Sequence, residues 1–224
     1  MNQWEQEYQN PQFLTLGTEP LSNVRHFMKW LRRKQKVDTS DFVVLDNGCG
    51  NGKNLKYIVE EFAESGTGYD ISETAIVTAR QLSQGLPIQY FTQSFTDELP
   101  VSDNSIDLAL DITASHVLSE SERVGYIAEL TRKMKSDGYL FLRTLCLEGD
   151  QNAKKLIKQF PGKSNQSYVL PGTGIEERVF TWQNIVDVYE KDFTILFHEK
   201  TTGYQKWANQ SYKRNYWIVY LQKK

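Results

Sequence analysis

The densest chemical signal in the chain is the run Asp46-Asn-Gly48-Cys-Gly50-Asn-Gly52. Glycine at every second position lets the backbone turn sharply and approach a ligand, because no Cβ stands in the way. Where such a turn opens a helix, the free N–H groups attract an anionic group. Asp70 lies eighteen positions beyond Gly52, where a carboxylate can accept both hydroxyls of a ribose.

Downstream, Asp111 and Ile112 close the apolar run LALDI, and His116 follows four residues later. An imidazole there can take a proton from a bound molecule, helped by Asp111 nearby. The plainer alternative is a histidine packed at a helix entry. The two cysteines, Cys49 and Cys146, have no C-x-x-C spacing, and the three histidines His26, His116 and His198 are far apart. No metal site is expected. Cys49 reads as a backbone contributor to the turn and Cys146 as a small buried hydrophobe.

The elements that must position these residues alternate along the chain. FVVLD (42–46), TGYDI (67–71), IQYF (88–91), SIDLALDI (105–112) and YLFLRTL (139–145) read as strands. Helical spacing marks 20–34, 53–62, 72–82 with Ser72 as cap, a helix to about residue 135 opened by the capping box Ser119-Glu-Ser-Glu122, and 181–189 with Thr181 as cap. Two last strands are predicted near 193–199 and 216–221. The expected fold class is α/β, a Rossmann-like, doubly wound sheet of seven mainly parallel strands with an antiparallel last strand. One domain is expected over 1–224: an N-terminal arm and helix (1–40), a core (41–146), a polar, interrupted insertion (147–180) and a C-terminal helix with strands (181–224). Residues 1–17 read as an irregular arm, in which Trp4, Tyr8 and Phe13 either close over a ligand as a lid or pin the arm to the exterior.

Composition bounds the partners. A hydrophobic fraction of 39% with 24% charged residues is ordinary for a globular protein. The balance of 26 basic to 28 acidic residues, net −2, argues against a chain-wide nucleic-acid footprint. No apolar run approaches the ~18 residues that span a bilayer, and MNQWEQEYQNP is too polar for a secretory signal. A cytoplasmic protein without membrane partners is expected.

VVLDNGCGNG, then GYDIS, ELPVSDNSIDLAL and ELTRKMKSDGYLFL, resemble the successive motifs of class I S-adenosylmethionine-dependent methyltransferases of the type 11-like kind. The likeness runs continuously over 42–145. The turn is G-x-G-x-G, whereas nicotinamide enzymes carry G-x-G-x-x-G. The resemblance implies S-adenosylmethionine as cofactor. It implies that Asp46 and the loop of Gly48, Cys49, Gly50 and Gly52 hold the methionine end, with Asp70 on the ribose and Ile71 beside the adenine. Ser94 and Phe95 would meet the adenine edge, although the usual Gly-Asp-Ala-like pattern is missing there. Asp111 and Ile112 would face the sulfonium and the acceptor. Asn47, where an apolar residue is usual, reads as solvated. Leu145-Cys146 matches neither the Pro-Cys nor the Thr-Cys context of 5-methylcytosine enzymes, so no cysteine nucleophile is expected.

The acceptor is less explicit. Strand four lacks an Asn/Asp-Pro-Pro-Tyr segment, which disfavours methylation of amino groups on DNA bases or glutamine. A small molecule is the first reading, with the insertion covering a pocket. RNA is the second. GCGNGK and SESER partly resemble tRNA wobble-uridine methyltransferases, though Ser115-His116 stands where those carry paired histidines. Lys206, Lys213, Arg214, Lys223 and Lys224, interleaved with Trp207, Tyr212, Tyr216 and Trp217, would form a stacking and phosphate-binding surface. An edge hairpin with guarding lysines is the alternative. A third reading is a non-catalytic, cofactor-binding partner subunit.

Overall fold

Apolar residues at adjacent positions of a strand face opposite sides of a sheet, so a continuous apolar run needs cover on both faces. The computed structural model shows that arrangement. It describes residues 2–12, 14, 16–94, 97–99, 101–207 and 210–224, with backbone alone for Lys206, Trp207 and Gln210. A seven-stranded sheet runs in the order β3 (Ile88–Thr92), β2 (Ser65–Asp70), β1 (Val43–Asn47), β4 (Ile106–Ile112), β5 (Met134–Leu145), β9 (Gln210–Lys223), β8 (Phe193–Trp207). The first five strands are mutually parallel, and β9 lies antiparallel between β5 and β8. The expected doubly wound sheet with an antiparallel last strand is therefore present.

The two faces sort by strand parity. Val44, Leu108, Leu110, Phe141 and Ile218 pack against α2 (Ser22–Arg33), α3 (Lys53–Glu61) and α4 (Glu73–Leu82), through Phe27, Met28, Leu31, Leu55, Ile58 and Ile76. Leu45, Ala109, Leu140, Leu142 and Val219 pack against α5 (Glu120–Lys133) and α7 (Trp182–Tyr189), through Tyr126, Ile127, Leu130 and Ile185. The caps read from the sequence are made: Ser72 accepts from Ala75 N, and Ser119 with Glu122 closes a capping box.

Three segments differ from expectation. The arm holds a helix, α1 (Gln3–Gln9), capped by Asn2. Two large apolar residues, Trp4 and Tyr8, are too few to show a period, yet their i, i+4 spacing puts them on one face. The insertion has structure of its own: α6 (Gln151–Gln159) and an antiparallel pair, β6 (Ser167–Val169) with β7 (Glu176–Arg178). The last two strands run far beyond their apolar stretches, pairing from Phe193 with Lys223 to Trp207 with Gln210. Polar side chains past residue 199 hide this extension from a hydrophobicity reading, since the ladder continues through backbone hydrogen bonds and polar pairs such as Thr202 with Asn215 and Arg214 with Gln205.

That hairpin takes three residues of the proposed stacking surface out of reach, while Lys213 stays exposed. Arg214 is 1% exposed, and Tyr216 and Trp217 are buried. The amines of Lys223 and Lys224 donate to the carbonyls of Met134 and Glu190. The side chains of Lys206 and Trp207 lie outside the described residues. Among the described residues, no helix is long and apolar enough to cross a membrane.

Candidate active site

Parallel register brings the chemistry to one edge. Asn47 of β1 pairs with Tyr69 of β2 and with Asp111 of β4, so Asp46, Asp70 and Ile112 end their strands side by side. Strand order reverses at β1, and the crevice outside such a reversal is where α/β sheets bind ligands. Gly48, Gly50 and Gly52 all have positive φ, at 66°, 55° and 75°, where a Cβ is strained. An added Cβ at Gly50 would also strike the Tyr8 hydroxyl, and at Gly52 it would lie 2.9 Å from the Ala79 Cβ. Gly52 is thus explained by helix packing.

Gly48, Asp70, Ile71, Ser94 and Ile112 border a cavity of about 540 Å3. Its other walls include Thr113, His116, Arg143, Leu145, Glu177 and Tyr216, with Trp4, Tyr8 and Leu14 contributed by the arm. Asp46, Cys49, Gly50, Gly52 and Asp111 do not border it. Phe13 and Phe95 lie outside the described residues.

Asp70 is buried, accepting from Gly50 N through Oδ2 and from Ser72 N through Oδ1, both at 2.9 Å. Burial raises its pKa, against the pull of those N–H groups and with added repulsion from Glu5. Asp46 is 2% exposed, and its Oδ2 has no hydrogen-bond partner. Burial, then the charges of Asp70 and Asp111, push its pKa well above the carboxylate range. Such an orphaned acceptor among three carboxylates fits a cationic or amino group. Asp111 turns its carboxylate away from the cavity: Oδ1 accepts from Ser115 N at 3.1 Å and Oδ2 from the Tyr126 hydroxyl at 3.1 Å. That arrangement differs from the sulfonium-facing carboxylate expected for it. Asn47 is fully buried, donating to the Leu110 carbonyl, so it is not solvated.

His116 sits in a single 3-10 turn, Ser115–Val117, and is 3% exposed. Its partner is Glu177 of the insertion, not Asp111: Nε2 lies 3.2 Å from Glu177 Oε1, and Nδ1 has no partner. A carboxylate cannot donate, so Nε2 carries the proton and Nδ1 keeps a lone pair. Glu177 Oε2 accepts from Tyr168 Oη at 2.5 Å, Tyr168 Oη accepts from Arg214 at 2.7 Å, and Arg214 Nε reaches Asp150 at 3.1 Å. All are buried. Burial works against the Glu177 charge, but the hydrogen bond from His116, the charge of Arg214 and the bond from Tyr168 hold its pKa below the usual range.

α1 docks through Glu5, which accepts from Ser72 Oγ at 2.6 Å and from Thr74 Oγ1 at 2.5 Å, while Asn2 donates to the Ile71 carbonyl at 3.1 Å. The Ser72 and Thr74 bonds pull the Glu5 pKa down to about 2. Both thiols are buried, and burial raises their pKa values, that of Cys146 to about 11. Neither suits a nucleophile.

Glu177, Arg143 and Glu5 were not singled out from the sequence. Arg143 carries a signal that would have found it, a lone charge inside the apolar strand YLFLRTL. Glu177 stands in an aperiodic insertion and offers none.

With that geometry in place, comparison with known proteins is informative. Residues 44–138 match the family model described as a methyltransferase domain. The chain is 30% identical to phthiotriol/phenolphthiotriol dimycocerosates methyltransferase 1 of Mycobacterium ulcerans over 143 residues, 63% of this chain and 52% of that protein. It is 27% identical to the tRNA U34 carboxymethyltransferase of Shewanella pealeana over 197 residues, 83% of this chain and 57% of that protein. The chain thus spans about half the length of the curated relatives it matches. A crystal structure of a SAM-dependent methyltransferase from Methanosarcina mazei superposes with a TM-score of 0.72 at 23% identity, covering 91% of this chain and 98% of that one. By strand order and glycine turn the chain has the fold of solved SAM-dependent methyltransferases, and its residues 44–138 match a methyltransferase domain.

Proposed function

We propose that the protein transfers the methyl group of S-adenosylmethionine to a small molecule held in the 540 Å3 cavity. The observation that carries this reading is that one cavity joins the edge at Gly48 and Asp70 to a wall bearing a buried imidazole oriented by a carboxylate.

The sulfonium of the bound cofactor supplies an activated methyl group, so the protein's part is to position, shield and accept a proton. Asp70 uses one lone pair of each oxygen on Gly50 and Ser72 and keeps the others for ribose hydroxyls. Asp46 Oδ2 suits the amino end. Ile71, 44% exposed, offers an apolar flank to the adenine, and Ser94 lies on its edge. Ile112 faces the transferred group. His116 Nδ1 takes the proton of the acceptor, while Glu177 holds the ring. Trp4 and Tyr8 form the lid that excludes water. Two unpaired, buried cysteines suit a reducing compartment such as the cytoplasm.

The lid reading has a direct test. Glu5 docks α1 while ionised, so the attachment is complete above its ordinary pKa of 4.5 and is lost as pH falls toward about 2. Glu5→Gln is expected to speed amide exchange in α1 and to weaken S-adenosylmethionine binding roughly fivefold, about 1 kcal/mol. Faster exchange with unchanged affinity would make the arm an exterior brace.

A second reading, an RNA acceptor, is favoured by the tRNA-modifying relative, whose match extends over 83% of this chain. Burial of Arg214, Tyr216 and Trp217 weighs against it. Tritium transfer from labelled cofactor, to a metabolite extract and separately to total RNA, decides. Label in the metabolite fraction is expected. Label in RNA alone would reverse the acceptor, and binding without transfer to either would indicate a cofactor-binding partner. No binding by calorimetry would sink the whole reading.

A further inference from the structure

The cavity wall carries three carboxylates, and each has its own partners: Asp70 with Gly50 and Ser72, Glu177 with His116 and Tyr168, Glu122 with Ser119. Its arginine has only neutral partners, Thr113 and Tyr216. Among the described residues no carboxylate pairs with Arg143. The guanidinium lies 3.6 Å from the Tyr216 ring centroid, and Nη1 reaches Thr113 Oγ1 at 3.4 Å. Nε is buried without an acceptor. Burial lowers the Arg143 pKa, as expected for a cation short of counter-charge.

The backbone around this cation is fixed. Thr113 N donates to the Arg143 carbonyl at 2.7 Å, and Thr113 has a φ of 52°. A β-branched residue pays steric strain in that left-handed region, and such strain is held where the surroundings over-determine it. Thr113 directly follows Ile112, so the guanidinium stands at the acceptor end of the cavity, over the Tyr216 ring.

Leaving even a half-buried cation without an anion costs free energy, which a ligand of opposite charge recovers. A rigid planar fork binds carboxylate or phosphate through two parallel N–H bonds. We propose that Arg143 seats an oxyanion of the methyl acceptor, a carboxylate or a phosphate, which makes the substrate an anionic small molecule. The inference rests on the reading of this cavity as the acceptor site.

The test uses the whole protein saturated with S-adenosylhomocysteine, titrated calorimetrically with benzoate, phenyl phosphate and neutral benzamide. At least one acid is expected to bind roughly tenfold or more tighter than benzamide, the scale of a charge-assisted pair. Preference for one acid over the other names the oxyanion. Arg143→Gln should abolish the preference, with S-adenosylhomocysteine affinity held within twofold, and Arg143→Lys should keep part of it. Equal binding of acids and amide, or no binding of either acid, overturns the proposal. So does an Arg143→Gln protein that loses S-adenosylhomocysteine instead, because the arginine then serves the cofactor's own carboxylate. Failure of the wild type to bind S-adenosylhomocysteine would instead refute the methyltransferase reading.

Discussion

Asp70→Asn is expected to weaken S-adenosylmethionine binding about 100-fold or more while leaving the chain folded. The Asp70 carboxylate both holds the turn and borders the cavity: one oxygen takes Gly50 N, the other Ser72 N, each at 2.9 Å. An amide replaces one of those oxygens by an N–H pair, which then faces a backbone N–H donor. It also loses a charged acceptor for the ribose. Each hydrogen bond to a charged group is worth about 1.5–3 kcal/mol, and two such losses multiply to two or more orders of magnitude in affinity. Calorimetric titration of the cofactor checks this, with the exposed Asp103→Asn protein as control. An affinity within threefold of wild type would remove Asp70 from the cofactor's contacts.

The other large effect belongs to the pair His116 and Glu177. His116→Ala is expected to slow tritium transfer to the acceptor about 100-fold or more, the usual worth of a positioned base. Cofactor affinity should be unaffected. Glu177→Gln keeps the volume and tests positioning: the rate should drop about tenfold with cofactor affinity unchanged. The same variant has a stability signature. The Glu177 pKa is depressed on folding, so its contribution is complete above the unfolded value and disappears as pH falls through the folded one. Glu177→Gln should therefore cost stability at neutral pH and flatten the acid slope of unfolding. Unchanged transfer in His116→Ala would reduce the histidine to a packing role.

Much of the cofactor side was legible because local rules and tertiary demands agree there. The run FVVLD needs cover on both faces, the glycines need positive φ, and Ser72 needs a helix to cap; β1, the turn and α4 follow from those three facts together. The acceptor wall was not legible for the opposite reason. Glu177 reaches His116 across 61 positions, from a segment with neither helical nor strand period, and nothing local marks such a pairing. α1 was missed because its stability comes from docking at Ser72 and Thr74 more than from its own pattern. The basic and aromatic residues near the C-terminus misled for a related reason. Composition suggested a surface, whereas cover on both faces of β9 buries Tyr216 and Arg214 on one side and Trp217 on the other.

The buried chain from His116 through Glu177, Tyr168 and Arg214 to Asp150 has one more consequence. It holds two carboxylates against one guanidinium, so with a neutral imidazole the cluster carries a formal surplus of one negative charge. A proton arriving on His116 cancels that surplus. On the proposed role of His116, the insertion would serve as a counter-ion kept in reserve, balanced for the moment after proton transfer.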